Sequence, residues 1–218
     1  MMESSNLFYK TAPLSSHESG PHPTLVLLHG RGTDENDLLG LTSAFDPRLL
    51  IVSIRAPFRF PYGGYTWFDL DEQGVVNNHQ LLEGCDAVIR CVDDIQQHHP
   101  VDPQRTFLFG FSMGAMMSLS LALSHPHCFK GVVAHSGGLL PQEGILQYQW
   151  NDLKSISFFI AHGIQDLIVP VERGRTAHQM LMDAKADVVY HEYPIQHTIS
   201  EESLNDAAVW LQQKLSIP

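Results

Sequence analysis

The sequence predicts an α/β protein with a mostly parallel central sheet and helices packed on both of its faces. Short, continuous apolar runs alternate along the chain with longer segments in which apolar residues recur every three or four positions. Runs of the first kind are typical of strands buried on two faces, and such strands need helices on both sides of their sheet. No repeat, low-complexity tract or change of composition divides the chain, so we expect one domain spanning residues 1–218.

Each element of this prediction rests on a bounded stretch of sequence. Gly, Pro or polar turn residues end every apolar run. The predicted strands are residues 24–29, 49–54, 106–109, 131–134, 156–161 and 188–193. Helical spacing of apolar residues marks segments 81–95, 177–184 and 204–215, and a further helix-type segment follows residue 114.

Two stretches fall outside this alternation. Residues 1–23 are expected to form an N-terminal extension or an edge-strand region. Residues 56–78 are rich in proline, glycine and aromatic residues and are longer than an ordinary connection between elements. Because long structured loops often carry function, we expect this aromatic loop to lie near the functional site.

Composition disfavours several classes of function. The chain has 24 acidic and 13 basic residues and a formal net charge of −11, which disfavours binding to nucleic acid or to an anionic membrane surface. It has no apolar segment near the roughly 20 residues that span a bilayer, no leader-type start and no lipid-anchor motif. Its three cysteines match no disulfide framework, and no metal-binding or cofactor-binding motif is present. We therefore expect a cytoplasmic protein without cofactor, metal or stable membrane anchor.

The segment from Phe109 to Met117, FGFSMGAMM, points to a nucleophile. Ser112 directly follows a predicted strand and precedes a predicted helix, with Gly110 and Gly114 on either side. A turn that passes so tightly from strand to helix strains the serine backbone and leaves no room for side chains at the two glycines. In a parallel sheet this position lies at the carboxyl edge, where ligands bind. A glycine-rich turn without chemistry is the alternative interpretation of the five-residue pattern taken by itself.

A serine hydroxyl needs a base, and the base needs an orienting acid, before the oxygen can attack a carbonyl group. Asp166 lies in the loop after the fifth predicted strand. His197 follows the sixth strand, next to a predicted capping box formed by Thr198 and Glu201. Serine, aspartate and histidine in this chain order, each after a strand, are typical of hydrolases with a strand-turn-helix nucleophile.

Four other residues compete for the roles of base and acid. His162 and His191 are weaker candidates because they fall within or at the end of predicted strands, where the sheet would fix them. Asp152 lies in a loop before a strand and Asp183 lies at a helix end, so both rank below Asp166.

Acyl transfer also needs backbone N–H donors for the oxygen that becomes negative. The amide of Met113, at the N-terminus of the helix after Ser112, is one predicted donor. In the loop after the first predicted strand, Gly30 and Gly32 let the backbone bend toward the serine and leave the amide of Arg31 as the second donor.

These motifs resemble the phospholipase/carboxylesterase family of small α/β-hydrolases, which includes the acyl-protein thioesterases. The resemblance rests on LHGRGTDENDL, WFD, GFSMGA, AHGIQDLIVP and the region of His197, and it extends from about Thr24 to the end of the chain. It implies an α/β-hydrolase fold without a separate cap domain. It further implies Ser112 as nucleophile, His197 as general base and acid, Asp166 as the orienting carboxylate, and an oxyanion hole made by the amides of Arg31 and Met113.

The sequence departs from the thioesterases at two positions. Arg31 and Met113 stand where acyl-protein thioesterases usually carry leucine and glutamine. The oxyanion donors are backbone groups, so they tolerate both changes. An arginine near the entrance of the active site, however, is a poor neighbour for a long acyl chain. The motifs are also more similar to those of bacterial carboxylesterases. Trp67, Phe68 and Leu139 are expected to bind substrate, and the nearness of Trp67 to the site is implied by the resemblance.

The sequence thus predicts a serine hydrolase that cleaves carboxylic esters of short to medium acyl chains through an acyl-enzyme on Ser112. Lysophospholipase or acyl-protein thioesterase activity is one alternative. A lactonase is less favoured, because that chemistry is associated with cysteine in place of the serine. A non-catalytic ligand-binding module is the alternative from a different class. The expected partner is a small-molecule ester, and a homodimer is compatible with the sequence.

Overall fold

The computed structural model describes residues 7–12, 20–140 and 146–216. Its strands are β1 (Tyr9–Thr11), β2 (His22–Leu28), β3 (Leu50–Ile54), β4 (Phe58–Arg59), β5 (Tyr65–Thr66), β6 (Val101–Phe111), β7 (Gly131–His135), β8 (Ser157–Gly163) and β9 (Asp187–Tyr193). Its α-helices are α1 (Asn78–His98), α2 (Met113–Ser124), α3 (Val171–Asp183) and α4 (Glu201–Leu215). Short 3₁₀ helices cover Leu38–Ala44 and Trp150–Asp152.

Seven strands form one twisted sheet in the order β1-β3-β2-β6-β7-β8-β9. Six of them run parallel, and β1 pairs with β3 in the antiparallel direction. Strands β4 and β5 form a separate small hairpin. The carboxyl ends of β2, β6, β8 and β9 therefore lie along one edge of the large sheet, which is the edge predicted to hold the functional groups.

The sheet separates two apolar cores, and successive residues of a strand point to opposite ones. Val26 and Leu28 of β2 lie in the core that also holds buried residues of α1, α2 and α3. Leu25 and Leu27 lie in the other core, together with buried residues of α4 and of the first 3₁₀ helix. Helices thus cover both faces of a mostly parallel sheet, and the predicted fold class is confirmed.

Two local features differ from the sequence prediction. Strand β6 begins at Val101, five residues before the predicted start, and contains Pro103. The early start arises because Val101 pairs with His22 of β2, after which the register between the two strands shifts. The predicted capping box at Thr198 and Glu201 is wrong. The cap of α4 is Ser200, whose side chain accepts the Ser203 amide while the Ser203 hydroxyl accepts the Ser200 amide.

Candidate active site

Ser112 occupies the turn between β6 and α2 in a strained backbone conformation, with φ +55° and ψ −119°. The turn is tight enough to exclude side chains on either side of it. A Cβ atom at Gly110 would overlap the carbonyl of Gly114, and a Cβ atom at Gly114 would overlap the carbonyl oxygen of Leu28. Glycine at both positions is therefore a steric requirement of the turn that presents Ser112 at the edge of the sheet.

The structure brings Ser112, His197 and Asp166 into one hydrogen-bonded line. His197 Nε2 lies 2.9 Å from Ser112 Oγ, and His197 Nδ1 lies 2.7 Å from Asp166 Oδ2. An ionised carboxylate only accepts hydrogen bonds, so Nδ1 carries the proton and donates it to Asp166. The lone pair of Nε2 is then left to accept the hydroxyl proton of Ser112.

Asp166 is held by its own loop. Its side chain is fully buried, and Oδ1 accepts the backbone amides of Ile168 at 2.9 Å and Val169 at 2.8 Å. His162 lies behind it in β8, with Nε2 2.8 Å from the carbonyl oxygen of Val169 and 3.5 Å from Asp166 Oδ2. Burial lowers the pKa of His162, so this neighbour stays neutral and leaves the carboxylate charge for His197.

The other competing residues make different contacts. His191 stacks between the rings of Phe159 and Tyr193 in the sheet. Asp152 pairs with His127 at 2.7 Å, and the carboxylate of Asp183 accepts the side-chain amide of Gln179. Within the described residues, none of these groups contacts Ser112.

The loop after β2 lies against Ser112. A Cβ atom at Gly30 would sit 3.6 Å from Ser112 Cβ, so the backbone of this loop passes the nucleophile at van der Waals distance. Among the described residues, the amide of Arg31 donates to no backbone acceptor. Met113 is the first residue of α2, where an amide has no acceptor within its own helix. Both predicted donors thus have unpaired N–H groups on segments next to Ser112.

Backbone pairing fixes the Arg31 loop to the hairpin. The amide of Gly32 donates to the carbonyl oxygen of Tyr65 at 2.8 Å, and the amide of Tyr65 donates to Thr33 at 2.8 Å. Gly64 has φ +69°, and a Cβ atom there would overlap the carbonyl of Gly32. The hairpin of β4 and β5 therefore serves as a rigid support for the loop that carries Arg31.

A buried ion pair ties the same loop to the end of β3. Glu35 is 1% exposed, and its two carboxylate oxygens accept Nε and Nη2 of Arg55 at 2.6 and 2.8 Å. The Arg55 guanidinium lies 4.4 Å from the ring centre of Phe8 and 4.7 Å from that of Tyr65. Hydrogen bonds from Arg55 lower the pKa of Glu35 to about 2, so the pair stays charged at neutral pH. Sequence reasoning missed this pair because its members are 20 residues apart and follow no short motif.

Two of the predicted substrate-binding residues lie in the core. Trp67 and Phe68 are both 0% exposed, so neither presents accessible surface to a ligand in this structure. The indole Nε1 of Trp67 donates to the carbonyl oxygen of His29 at 2.8 Å, which anchors the start of the Arg31 loop. Leu139 is partly exposed, and its carbonyl oxygen accepts Nη2 of Arg173 at 3.2 Å. Trp67 thus supports the Arg31 loop from within the core, and the substrate-binding role of Leu139 stays a prediction.

A second buried histidine supports the segment that carries His197. His135 at the end of β7 has Nε2 2.9 Å from Ser203 Oγ, the hydroxyl that also completes the cap of α4. His135 Nδ1 lies 3.2 Å from Ser136 Oγ. Burial lowers the pKa of His135 to about 3, so the ring is neutral in the folded protein. No sequence pattern identifies this contact, which joins residues 68 positions apart.

We expect His135 to make the protein less stable in acid. An unfolded histidine takes up a proton near pH 6.5, whereas His135 in the folded protein does so only near pH 3. Between these values the unfolded state binds more protons, so the free energy of unfolding should fall with decreasing pH, on the order of 1 kcal/mol per pH unit. Urea unfolding of the wild type and of His135→Gln from neutral pH to pH 4 measures this slope.

The control for this experiment is His79→Gln, since the His79 side chain is 89% exposed. We expect the His79 variant to keep the wild-type slope and the His135 variant to have a shallower one. Burial also lowers the pKa of His29 and His162, so part of the slope should persist in His135→Gln. Identical slopes for the wild type and His135→Gln would show that His135 does not resist protonation in the folded state.

The described part of the chain contains no group of three or more residues arranged to hold a metal ion. In the same residue ranges, no helix is long and apolar enough to cross a membrane.

Comparison with known proteins places the chain among hydrolases. The family model described as phospholipase/carboxylesterase matches residues 10–215. Acyl-protein thioesterase 1 of Mycosarcoma maydis is 28% identical over 222 residues, which cover 88% of this chain and 91% of that protein. The crystal structure of esterase PE8 superposes with a TM-score of 0.81 at 28% identity, covering 95% of this chain and 99% of that one. The carboxylesterase of Bacillus cereus has the same fold, with a TM-score of 0.84 at 24% identity and coverage of 97% and 96%.

Proposed function

Because the chain belongs to the phospholipase/carboxylesterase family, we propose that it is a carboxylesterase acting on esters of short to medium acyl chains. The observation that carries the proposal is the hydrogen-bonded line from Ser112 through His197 to Asp166, with distances of 2.9 and 2.7 Å. This is the arrangement by which a serine hydroxyl becomes a nucleophile. All of these groups belong to one chain, so the proposed chemistry does not depend on a homodimer.

The reaction follows from the proton positions in this line. Ser112 Oγ attacks the ester carbonyl carbon while its proton moves to His197 Nε2, and Asp166 stabilises the imidazolium that forms. The amides of Arg31 and Met113 hold the carbonyl oxygen as it becomes negative, and each such donor typically contributes about 3 to 4 kcal/mol. His197 then gives its proton to the leaving alkoxide, and the alcohol departs from the acyl-enzyme. A water molecule repeats the sequence, which releases the acid and restores Ser112.

Two features of the site favour small acyl groups. Trp67 and Phe68 are fully buried and present no accessible surface to an acyl chain. Arg31 itself is exposed beside the nucleophile, where its charge disfavours a long alkyl chain. We also propose that the enzyme works in the cytoplasm, a compartment in which free cysteines such as Cys85, Cys91 and Cys128 are usual.

A longer acyl chain is the second candidate, as in lysophospholipases or acyl-protein thioesterases. It is favoured by Leu167 and Ile168, which flank Asp166 and are 90% and 71% exposed. An alkyl chain lying across these two side chains would bury apolar surface that is otherwise in water.

Hydrolysis of a series of p-nitrophenyl esters tests the proposed function. We expect kcat/KM to be highest for acetate or butyrate and to fall for octanoate and palmitate, because the exposed charge of Arg31 disfavours a long alkyl chain. Matched ester and thioester substrates of the same acyl group measure the preference for the leaving group. A kcat/KM that rises toward octanoate and palmitate would overturn the short-chain proposal and favour the second candidate.

A further inference from the structure

Two arginine residues lie on segments next to the candidate active site, Arg31 in the loop after β2 and Arg173 in the first turn of α3. Arg31 follows Gly30, which passes Ser112 at van der Waals distance. Arg173 packs against Gly138, since a Cβ atom at Gly138 would lie 2.9 Å from Arg173 Cβ. A Cβ atom on the preceding Gly137 would lie 3.1 Å from the carbonyl oxygen of Ser112. Both arginine side chains are exposed to solvent.

Each of the two guanidinium groups contacts an uncharged group of the protein. Arg31 lies over the ring of Phe60, with Cζ 5.1 Å from the ring centre. Arg173 donates from Nη2 to the carbonyl oxygen of Leu139 at 3.2 Å. Among residues 7–12, 20–140 and 146–216, neither arginine forms an ion pair with a carboxylate. Within those ranges, both guanidinium groups therefore have N–H donors that no carboxylate accepts.

This local charge is opposite to that of the whole chain, which carries −11. Acidic side chains are plentiful, and half of the eight arginines pair with them in the described ranges: Arg48 with Asp46, Arg55 with Glu35, Arg105 with Asp102, and Arg175 with Glu172 and Glu192. A local positive field in an otherwise acidic protein attracts anions to the place where the field is concentrated. Arg31 and Arg173 are two such cationic groups on segments next to Ser112.

We propose that Arg31 and Arg173 bind a carboxylate of the substrate, so that the preferred substrates are esters carrying a second, ionised carboxyl group. The planar N–H donors of a guanidinium match a carboxylate in geometry and charge. Monoesters of dicarboxylic acids are the simplest members of this class. The ester group reacts with water to give an acid and an alcohol, and the second carboxylate is bound but unchanged. The inference rests on the proposed esterase function and names the substrate class for the same site.

Matched acidic and neutral esters test this inference in the intact protein. Monomethyl glutarate is compared with methyl pentanoate, which carries a methyl group where glutarate has its free carboxylate. A second pair places the charge on the alcohol side: 3-acetoxypropanoate and propyl acetate. We expect the acidic ester of at least one pair to have the higher kcat/KM by about ten-fold, the range of one charge-assisted contact. The ratio should fall as ionic strength rises from about 0.01 M to about 0.5 M, because salt screens exposed charges.

The variants Arg31→Gln and Arg173→Gln should lower this ratio, whereas Arg90→Gln on the exposed side of α1 should leave it unchanged. Arg90 is a matched control because it is also exposed and lies away from Ser112. Equal kcat/KM for the acidic and neutral esters in both pairs would overturn the inference while leaving the esterase function in place. If Arg31→Gln and Arg173→Gln both keep the preference for the acidic ester, other groups bind the carboxylate and the inference is wrong. Failure of the wild type to hydrolyse any of the four esters would instead count against the proposed function.

Discussion

Replacing Ser112 by alanine is expected to abolish ester hydrolysis, with kcat falling by about 10⁶-fold if the serine forms the acyl-enzyme. Alanine keeps the Cβ atom of serine, so the strained backbone at φ +55° and its neighbours should be unchanged. Only the Oγ atom that lies 2.9 Å from His197 Nε2 is removed. The measurement is kcat for p-nitrophenyl butyrate together with the thermal unfolding midpoint of both proteins.

The control for this variant is Ser155→Ala, an exposed serine on the opposite edge of the sheet. It should retain wild-type kcat. A fluorophosphonate probe, which reacts covalently with activated serines, should label the wild type and Ser155→Ala but not Ser112→Ala. If the wild type shows neither labelling nor hydrolysis, the chain is a ligand-binding module that has kept the fold. If Ser112→Ala retains activity, the nucleophile lies elsewhere.

The parts of the fold that could be predicted are those buried on two faces. Strands such as β2 and β7 are fully buried, and each contains a continuous apolar run, LVLL in β2 and VVA in β7. Strand β1 and the hairpin of β4 and β5 have only two or three residues per strand and are partly exposed, so no apolar run marks them. Their pairing is decided by contacts with distant segments.

The grouping of the three candidate catalytic residues could be predicted because parallel strands end at a common edge. Ser112, Asp166 and His197 each follow a strand, and a shared edge brings such residues together whatever their separation in sequence. The buried residues that support these three, such as Glu35 and His135, follow no pattern that the sequence reveals. Glu35 lies in the run TDEND, which resembles a solvated loop, and it is buried only because Arg55 reaches it from the end of β3. In the sequence His135 is an ordinary residue at the end of a strand, and only the structure shows its contact with Ser203.

The aromatic loop shows a different limit of sequence reasoning. Its composition predicted nearness to the site but could not separate residues that touch a ligand from residues that hold the loop. Trp67 donates to the carbonyl of His29 and is fully buried, whereas Tyr62 is 91% exposed. Which of two aromatic residues faces inward depends on the path of the hairpin, and that path is set by backbone pairing with Gly32 and Thr33.

Replacing Gly114 by alanine is expected to lower both stability and activity. The added Cβ atom would overlap the carbonyl oxygen of Leu28 and would lie 2.6 Å from that of His29. These are backbone atoms that cannot rotate away, so α2 and β2 must separate, at a cost of about 3 kcal/mol. For a chain of this length we expect the thermal unfolding midpoint to fall by about 6 to 12 °C.

Activity should fall as well, because Leu28 and His29 lead directly into the loop that carries Arg31, and a displacement of this loop moves an amide away from the oxyanion. The effect should appear in kcat more than in KM, since the donor acts on the transition state. Gly40→Ala is the matched control, because a Cβ atom there meets no atom within 4 Å. If Gly114→Ala has the wild-type unfolding midpoint and kcat, the close approach of α2 to the end of β2 is not what shapes the site. A loss of stability with unchanged kcat would mean that this contact supports the fold while the position of Arg31 is fixed by the hairpin and by the Glu35–Arg55 pair.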